Sequence, residues 1–459
     1  MKVAIIGCGY VGLPSGVGLA ELGNEVVCID QDQKKIADLQ NGHIPLYEEN
    51  LPEMFARNVA LGRLSFTTSM DDGVRDAQVV IIAVGTPPHP ITHEADLKFV
   101  YSAATELAAS LTGYTVIATK STVPVATGDS LETLIRSKNP QAQFDVVSLP
   151  EFLREGHALY DFLHPDRIVV GTDSAKAREV IRQLYAGMDA KTKFIFVQRR
   201  SAEVIKYASN SFLAIKIHYI NEIADFCEKT GADIQEVAAG MGADSRIGGA
   251  FLRPGPGFGG SCFPKDTLAL AFMAQQNNVT LDLVNATIQG NQKRKIDMAH
   301  RIVQAVQDID HPRIAIWGLA FKNGTDDCRE SPAIAIIQHL LRKKLKIMAY
   351  DPQGMQSAKN ILGDSITYAP SPLAATQDAD LLVVLTEWPS FKQVDLAALA
   401  AIMRGKRIID TRNILDKAAV VKAGFIYQGI GMAVAQSSPK DQRALGHAAR
   451  QTSLPPPSL

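Results

Sequence analysis

The sequence predicts an α/β protein in which two doubly wound parallel-sheet units are joined by a central helical region containing one long helix. Three observations carry this expectation. Over residues 1–196, short Val/Ile-rich runs alternate with helical patterns: VAIIG, EVVCID, AQVVIIAVG, YTVIATKST, FDVVSLP and RIVVG. Continuous runs of this length suit strands buried on both faces, and their alternation with helices makes βαβ units. Between residues 197 and 310 such runs stop, and from His311 they resume as RIAIWGLA, KIMAYDP, ADLLVVLTEW and KRIIDTRN.

The first strand, VAIIG, leads into Gly7-Cys8-Gly9-Tyr10-Val11-Gly12 and then a helical stretch. A strand–G-x-G-x-x-G–helix order is the fingerprint of a dinucleotide-binding turn. Gly7 makes the turn, Gly9 admits the pyrophosphate, and Gly12 packs helix on strand. The helix N-terminus offers N–H groups and a positive dipole to the phosphates. The second strand ends at Asp30, 18 residues beyond Gly12, where a carboxylate accepts both ribose hydroxyls and repels a 2′-phosphate. This favours NAD over NADP, with Lys34 and Lys35 nearby pulling the other way. Cys8 inside the turn reads as a small packed side chain. Gly85-Thr86-Pro87-Pro88 follows a strand and borders the cofactor edge.

The middle region opens with SAEVIKYASNSFLAIKIHYINEIADFCEKTGA, a single helix with Ser201 as its expected N-cap and Gly231 as its stop. Lys206 and Asn210, four apart, interrupt its apolar pattern. They are either solvated on an outer face or paired donors to an oxyanion. Then comes the Gly-rich segment Phe251-Leu-Arg-Pro-Gly-Pro-Gly-Phe-Gly-Gly-Ser-Cys-Phe-Pro-Lys-Asp266, in which Gly255, Pro256, Gly257, Gly259 and Gly260 form a loop able to wrap a ligand. It delivers Cys262 to a helix that Pro264 suits in its first turn. A thiol at a helix N-terminus beside Lys265 is expected to have a lowered pKa, and Asp266 shares its face. The plainer alternative is a buried structural cysteine. A second helix is expected over VNATIQGNQKRKIDMAHRIVQAVQ. Thr119-Lys-Ser-Thr-Val-Pro124 and Pro150-Glu-Phe-Leu-Arg-Glu155 each follow a strand. They put Thr122 at the sheet's carboxyl edge and offer Glu151 and Glu155 as acid, base, ribose ligand or mere surface carboxylates.

The third region, 311–436, echoes the first: Asp76–Thr86 parallels Asp378–Glu387, and Asp351 stands where Asp30 does. Val/Ile-rich strands resemble one another in any parallel sheet, so the echo also has a generic explanation. Residues 437–459 are polar and end in SLPPPSL, the composition of a disordered tail.

A net charge of −1 over 459 residues argues against nucleic acid or anionic membrane as partner, although a local anion site needs only a few Lys and Arg. Five cysteines with no C-x-x-C spacing exclude a disulfide framework and a zinc site, so no metal is expected and a reducing cytoplasm fits. The N-terminus lacks the apolar run of a signal peptide, and no stretch of about 18 apolar residues reads as a membrane span.

Taken together, GCGYVG, STVP at 121–124, PEFLREG at 150–156, HPDRIVVG at 164–171 and IKYASNSFLAIKIHYINEIA at 205–224 resemble the UDP-glucose/GDP-mannose dehydrogenase family. GFGGSCFPKD at 257–266, GLAFKNGTDDCRESPA at 318–333 and DTRN at 410–413 complete the set, spread in order over residues 1–415. The resemblance implies two successive NAD-dependent oxidations at one sugar carbon, taking UDP-glucose to UDP-glucuronate. Cys262 would form a thiohemiacetal and then a thioester. Lys206 and Asn210 would stabilise oxyanions, Asp266 and Thr122 would hold a relay water, and Glu151 would assist hydrolysis. Cofactor contacts are implied at Gly7, Gly9, Tyr10, Val11, Gly12, Asp30, Lys35, Thr86, Thr122, Glu155, Cys262, Lys265 and Arg329. Substrate contacts are implied at Glu151, Phe152, Leu153, Arg154, Lys206, Asn210, Phe251, Leu252, Gly255, Gly257, Phe258, Gly259, Phe321, Lys322 and Arg412. Arg246 would reach into a neighbouring subunit, making a homodimer through the helical middle. The third region would bind the UDP end, consistent with Gly318-Leu-Ala-Phe-Lys lacking G-x-G-x-x-G. Ala126, where a Gly is expected, and Leu149, where a polar residue is commoner, depart from the family pattern. Rival readings are the same chemistry on GDP-mannose or UDP-N-acetylmannosamine, a two-electron hydroxyacid dehydrogenase, and a non-catalytic NAD-binding regulatory protein.

Overall fold

The computed structural model describes residues 1–89 and 94–435; the tail expected from Ser437 lies outside the described residues. The chain forms two compact units, Met1–Phe212 with Lys265–Leu281, and Leu213–Pro264 with the chain from Asp282.

The first unit holds eight strands: β1 (Lys2–Ile6), β2 (Glu25–Ile29), β3 (Leu64–Thr67), β4 (Val79–Ile82), β5 (Thr115–Thr119), β6 (Phe144–Ser148), β7 (Ile168–Gly171) and β8 (Phe194–Val197). Their order is β3-β2-β1-β4-β5-β6-β7-β8, so the chain reverses direction across the sheet between β1 and β4. In such sheets ligands bind at that reversal, beyond the carboxyl ends of the strands. Every pairing is parallel except β6 with β7, which meet antiparallel through Ser148 and Gly171. The period of two explains the continuous apolar runs. Val3 and Ile5 pack into one core layer, and Ala4 and Ile6 into the layer on the opposite face.

The second unit repeats the scheme with β9 (Arg313–Trp317), β10 (Lys346–Tyr350), β11 (Thr367–Tyr368), β12 (Leu381–Val384), β13 (Arg407–Asp410) and β14 (Ile426–Gly429), in the order β11-β10-β9-β12-β13-β14. All five pairings are parallel. Both sheets thus contain the doubly wound order expected from sequence. The repeat extends to single hydrogen bonds. Gly7 N–H donates to Ile29 O at 2.7 Å and Gly318 N–H to Tyr350 O at 2.8 Å, while Ala83 N–H donates to Ile6 O and Leu385 N–H to Trp317 O, each at 2.8 Å. The echo between the two regions is therefore architectural.

The long helix spans Arg199–Thr230. It starts before Ser201, whose expected capping role is not realised: Ala202 N–H already donates to Gln198 O, so Ser201 lies inside the first turn. The expected stop is found, with Gly231 at φ 80° donating its N–H to Cys227 O. Helices Ile234–Gly242, Phe263–Gln276 and Asp282–Gln304 complete the middle region. Among the described residues, no helix is long and apolar enough to cross a membrane.

Candidate active site

At the first strand–helix turn, a Cβ on Gly12 would stand 1.8 Å from Gly7 O, so only glycine lets the helix close on the strand, whereas a Cβ on Gly9 would meet nothing within 4 Å. The turn is therefore tight behind and open in front, the shape a diphosphate requires. Helix Gly12–Glu21 starts there, with Tyr10 and Val11 half-buried before it. Asp30, directly after β2, accepts the Cys8 N–H at 2.9 Å, the Asp32 N–H at 3.1 Å and the Lys35 ammonium at 2.9 Å. Burial pushes the Asp30 carboxyl up, but these donors outweigh it and hold it below the usual carboxylate range. Lys35 is thus engaged by the carboxylate itself rather than standing as a lone cation beside it. Cys8 is buried against Cys28, as a packed side chain under the turn should be. Thr86 donates its hydroxyl to Thr122 O at 2.9 Å, joining the loops after β4 and β5.

A polar cluster in the same unit draws on the loop after β6, the long helix and the helix that begins at Phe263. Lys206 and Glu151 are both buried and form a 2.8 Å ion pair. Glu151 also accepts the Leu153 N–H at 2.5 Å. Burial raises the Glu151 carboxyl, yet Lys206, the Leu153 N–H and Lys120 together bring it below the normal range. One turn along the helix, Asn210 donates to Asp266 at 2.6 Å, and the Lys265 ammonium meets the other Asp266 oxygen at 2.5 Å. Neither Lys206 nor Asn210 is solvated, and Glu151 is not a surface carboxylate. Lys120 and Glu203 were not singled out from sequence. Burial pulls the Lys120 ammonium down to about 8, with Glu151 opposing and Lys206 reinforcing the fall. Glu203, one turn before Lys206, accepts the Ala126 and Gly128 N–H groups at 2.7 and 2.9 Å. Glu48 similarly accepts the Gly156 and Ala158 N–H groups and so shapes the 150–158 loop. In that loop Phe152 carries the Arg167 guanidinium at 3.7 Å and Lys206 at 5.5 Å from its ring centroid. Leu153 and Glu155 are half-buried, whereas Arg154 is exposed and paired with Asp161 at 2.6 Å.

In the second unit, the Gly-rich loop lies against buried side chains. Gly255 N–H donates to Asn221 at 2.8 Å, and Gly255 O accepts from Arg294 at 3.1 Å. Asn291 grips Phe258 twice, accepting its N–H at 2.8 Å and donating to its O at 3.0 Å. Leu252, Gly255, Gly257, Phe258 and Gly259 are buried; Phe251 is half-buried at φ 66°. Two glycines have no substitute here: a Cβ on Gly259 would stand 2.3 Å from Glu330 O, and Gly260 holds φ 84° against the Phe321 ring. Arg412 comes within 3.1 Å of a Cβ built on Gly255 and donates to Leu385 O and Phe321 O. Lys322 lies 5.7 Å from the Phe321 ring centroid. Arg329 is half exposed and paired with Asp327 at 2.8 Å. Cys262 is part-exposed immediately before helix Phe263–Gln276, whose first turn contains Asp266; the other four cysteines are buried. Arg246 extends into solvent from this unit, paired with Asp244 of its own chain at 2.6 Å.

Asp351 occupies the position of Asp30 but has different partners. It accepts N–H groups from Leu319, Ala320, Gln353 and Gly354 at 2.7–3.0 Å and the Trp388 indole at 3.0 Å. Five donors saturate a carboxylate with about four lone-pair directions.

A doubly wound sheet with an open glycine turn and a carboxylate just after its second strand has the form of a dinucleotide-binding unit, the class to which NAD-dependent dehydrogenases belong. Residues 1–189, 200–293 and 315–417 match respectively the NAD binding domain, central domain and UDP binding domain of the UDP-glucose/GDP-mannose dehydrogenase family, and the chain belongs to that family. It is 49% identical over 435 residues to UDP-glucose 6-dehydrogenase of Rhizobium meliloti, covering 94% of this chain and 99% of that one. It is 43% identical to UDP-glucose 6-dehydrogenase TuaD of Bacillus subtilis, covering 96% and 95% of the two chains. The structure of a UDP-glucose dehydrogenase from Pyrobaculum islandicum superimposes with a TM-score of 0.87 at 35% identity, covering 94% of this chain and 98% of that one.

Proposed function

We propose that the protein oxidises UDP-glucose to UDP-glucuronate in two steps at one carbon, using Cys262 as covalent nucleophile. The observation that carries this reading is the placement of Cys262 directly before a helix whose first turn presents Asp266, itself bonded to Asn210. When bound, NAD supplies the hydride acceptor, one molecule per oxidation, and Gly7 to Gly12, Asp30, Lys35, Thr86, Thr122, Glu155, Lys265 and Arg329 are the residues we assign to holding it. The first oxidation removes a hydride and the hydroxyl proton from the sugar alcohol. The Cys262 sulfur then bonds to the aldehyde carbon, which keeps the reactive intermediate from leaving. Loss of a second hydride converts the thiohemiacetal to a thioester. Water attacks, the C–S bond breaks, and the thiol returns with release of the carboxylate. Lys206 and Asn210 stabilise the successive oxyanions; Asp266 and Thr122 hold the water that carries protons; Glu151, anionic at neutral pH, assists hydrolysis. The UDP-sugar is held by Phe152, Leu153, Arg154, Phe251, Leu252, Gly255, Gly257, Phe258, Gly259, Phe321, Lys322 and Arg412.

In this reading residues 1–196 bind NAD, 197–310 are the helical connector and 311–436 bind the UDP end. The chain pairs as a homodimer with Arg246 reaching its partner. The large exposed side chains Phe212, Tyr219 and Phe226, spaced by seven along the long helix, support such pairing. Five free cysteines fit a reducing cytoplasm. The decisive test is stoichiometry, with NADH formed per UDP-glucose consumed as the readout. Two is expected; one refutes the scheme, and turnover only on another nucleotide sugar refutes the substrate.

A further inference from the structure

The Gly-rich loop is irregular backbone, with Gly257 at φ 119° and Gly260 at φ 84°, and side chains hold it through hydrogen bonds. Asn291 does most of this. Its amide satisfies both the N–H and the O of Phe258, at 2.8 and 3.0 Å, as a neighbouring strand would. The arrangement is buried, since Asn291 is 5% exposed and Phe258 6%. A Cβ on Gly257 would stand only 2.7 Å from Asn291 Oδ1, so the residue before the gripped one is also fitted to this side chain. From Phe258 the constraint passes to the residue after Cys262. The Phe258 ring meets the Phe263 ring edge-on at 6.2 Å, and the Phe251 ring meets Phe263 at 5.9 Å. Between the two rings the chain is pinned again by Gly260 N–H donating to Arg329 O at 3.0 Å.

We infer that Asn291 is a positioning residue for Cys262: by fixing the Phe258 backbone, it sets the Phe258–Phe263 ring contact that brackets the thiol. In this role Asn291 acts through the loop, by its two bonds to the Phe258 backbone. The alternative role, generic support of helix Asp282–Gln304, makes no prediction about Cys262 in particular. The inference rests on Cys262 as nucleophile, and thiol labelling separates the two ideas because it reads the sulfur's surroundings whether or not the reaction uses it.

The test is Asn291→Ala in the full-length protein, with Phe258→Leu as a second variant that leaves the buried amide–backbone grip in place and removes only the ring contact. Iodoacetamide labelling is followed by mass spectrometry, alongside kcat and KM for UDP-glucose and KM for NAD. A near-attack geometry displaced by about 1 Å loses on the order of 100-fold in rate. For both variants, Cys262 labelling should accelerate several-fold while kcat falls at least 10-fold, with the NAD KM nearly constant. Labelling should stay at one site per chain, because the four buried cysteines remain protected. Unchanged Cys262 labelling in Phe258→Leu overturns the inference even if Asn291→Ala does not fold. So does labelling spread over all five cysteines of folded Asn291→Ala. Faster labelling with unchanged kcat would uphold the positional link and count against the nucleophile assignment instead.

Discussion

At the scale of single residues, Ala126 is the one place where the family pattern, the backbone and a cheap substitution coincide. It sits at φ 75° before helix Thr127–Lys138, a left-handed conformation that costs an L-residue roughly 1–2 kcal/mol. Its N–H is fixed by Glu203, so the loop does not relax. Ala126→Gly should therefore stabilise the protein by about 1 kcal/mol and raise its melting temperature, with activity retained. The Lys206–Glu151 pair predicts the opposite sign. Removing one member of a buried pair typically costs about 3–5 kcal/mol, because it leaves a charge without its partner. Lys206→Met should lose an amount of this order in urea denaturation at pH 7. Since the folded Glu151 carboxyl titrates below its ordinary 4.5, the pair's contribution is complete above that value and disappears as pH falls through the lower folded one. The gap between variant and parent should accordingly close in acid; a gap independent of pH would refute the charge explanation.

At the scale of elements, what was legible in sequence depended on whether the signal was local. The strands buried on both faces declared themselves, because nothing else needs four or five consecutive apolar residues. The glycine turn and the start of the helix that carries Asp266 were equally plain, since Gly7, Gly9, Gly12 and Pro264 meet backbone requirements set within a few residues. β3, β8, β11 and β14 escaped. They are short and lie at or near sheet edges, and β3 and β8 include exposed or half-buried positions that dilute the apolar run. The antiparallel meeting of Ser148 and Gly171 has no sequence signature, because strand direction is a property of the connection. The sequence places the start of the long helix too late because Ser201 looks like a cap, although the chain is already helical there. Asn221 and Asn291 belong to no motif that the sequence displays. Their signal was negative: Asn is a poor helix former, and two of them on inward faces imply partners. Lys120, Glu203 and Glu48 belong with them, as buried charges whose partners come from other elements.

At the scale of the whole molecule, the repeat of sheet order explains how one chain holds two unlike ends of a nucleotide sugar chemistry. Each sheet reverses direction at its third crossover, between β1 and β4 in one and between β9 and β12 in the other, which is where sheets of this kind bind ligands. Self-association belongs to this scale too. If the seven-residue stripe on the long helix is the contact between subunits, Tyr219→Asp combined with Phe226→Asp should convert a dimer to monomers in sedimentation velocity. A parent that already sediments as a monomer would dismiss the homodimer.

The saturated Asp351 has a practical consequence for protein engineering. Grafting two glycines, at Ala320 and Asn323, behind the existing Gly318 would copy the letters of a dinucleotide turn without producing one. The carboxylate that should greet the adenosine ribose is already occupied by four backbone N–H groups and an indole. Retrofitting the second sheet would require freeing that side chain first, starting with Trp388, and the bonds released would have to be replaced from elsewhere. Duplicated architecture has here become specialised by filling a binding position with the protein's own donors.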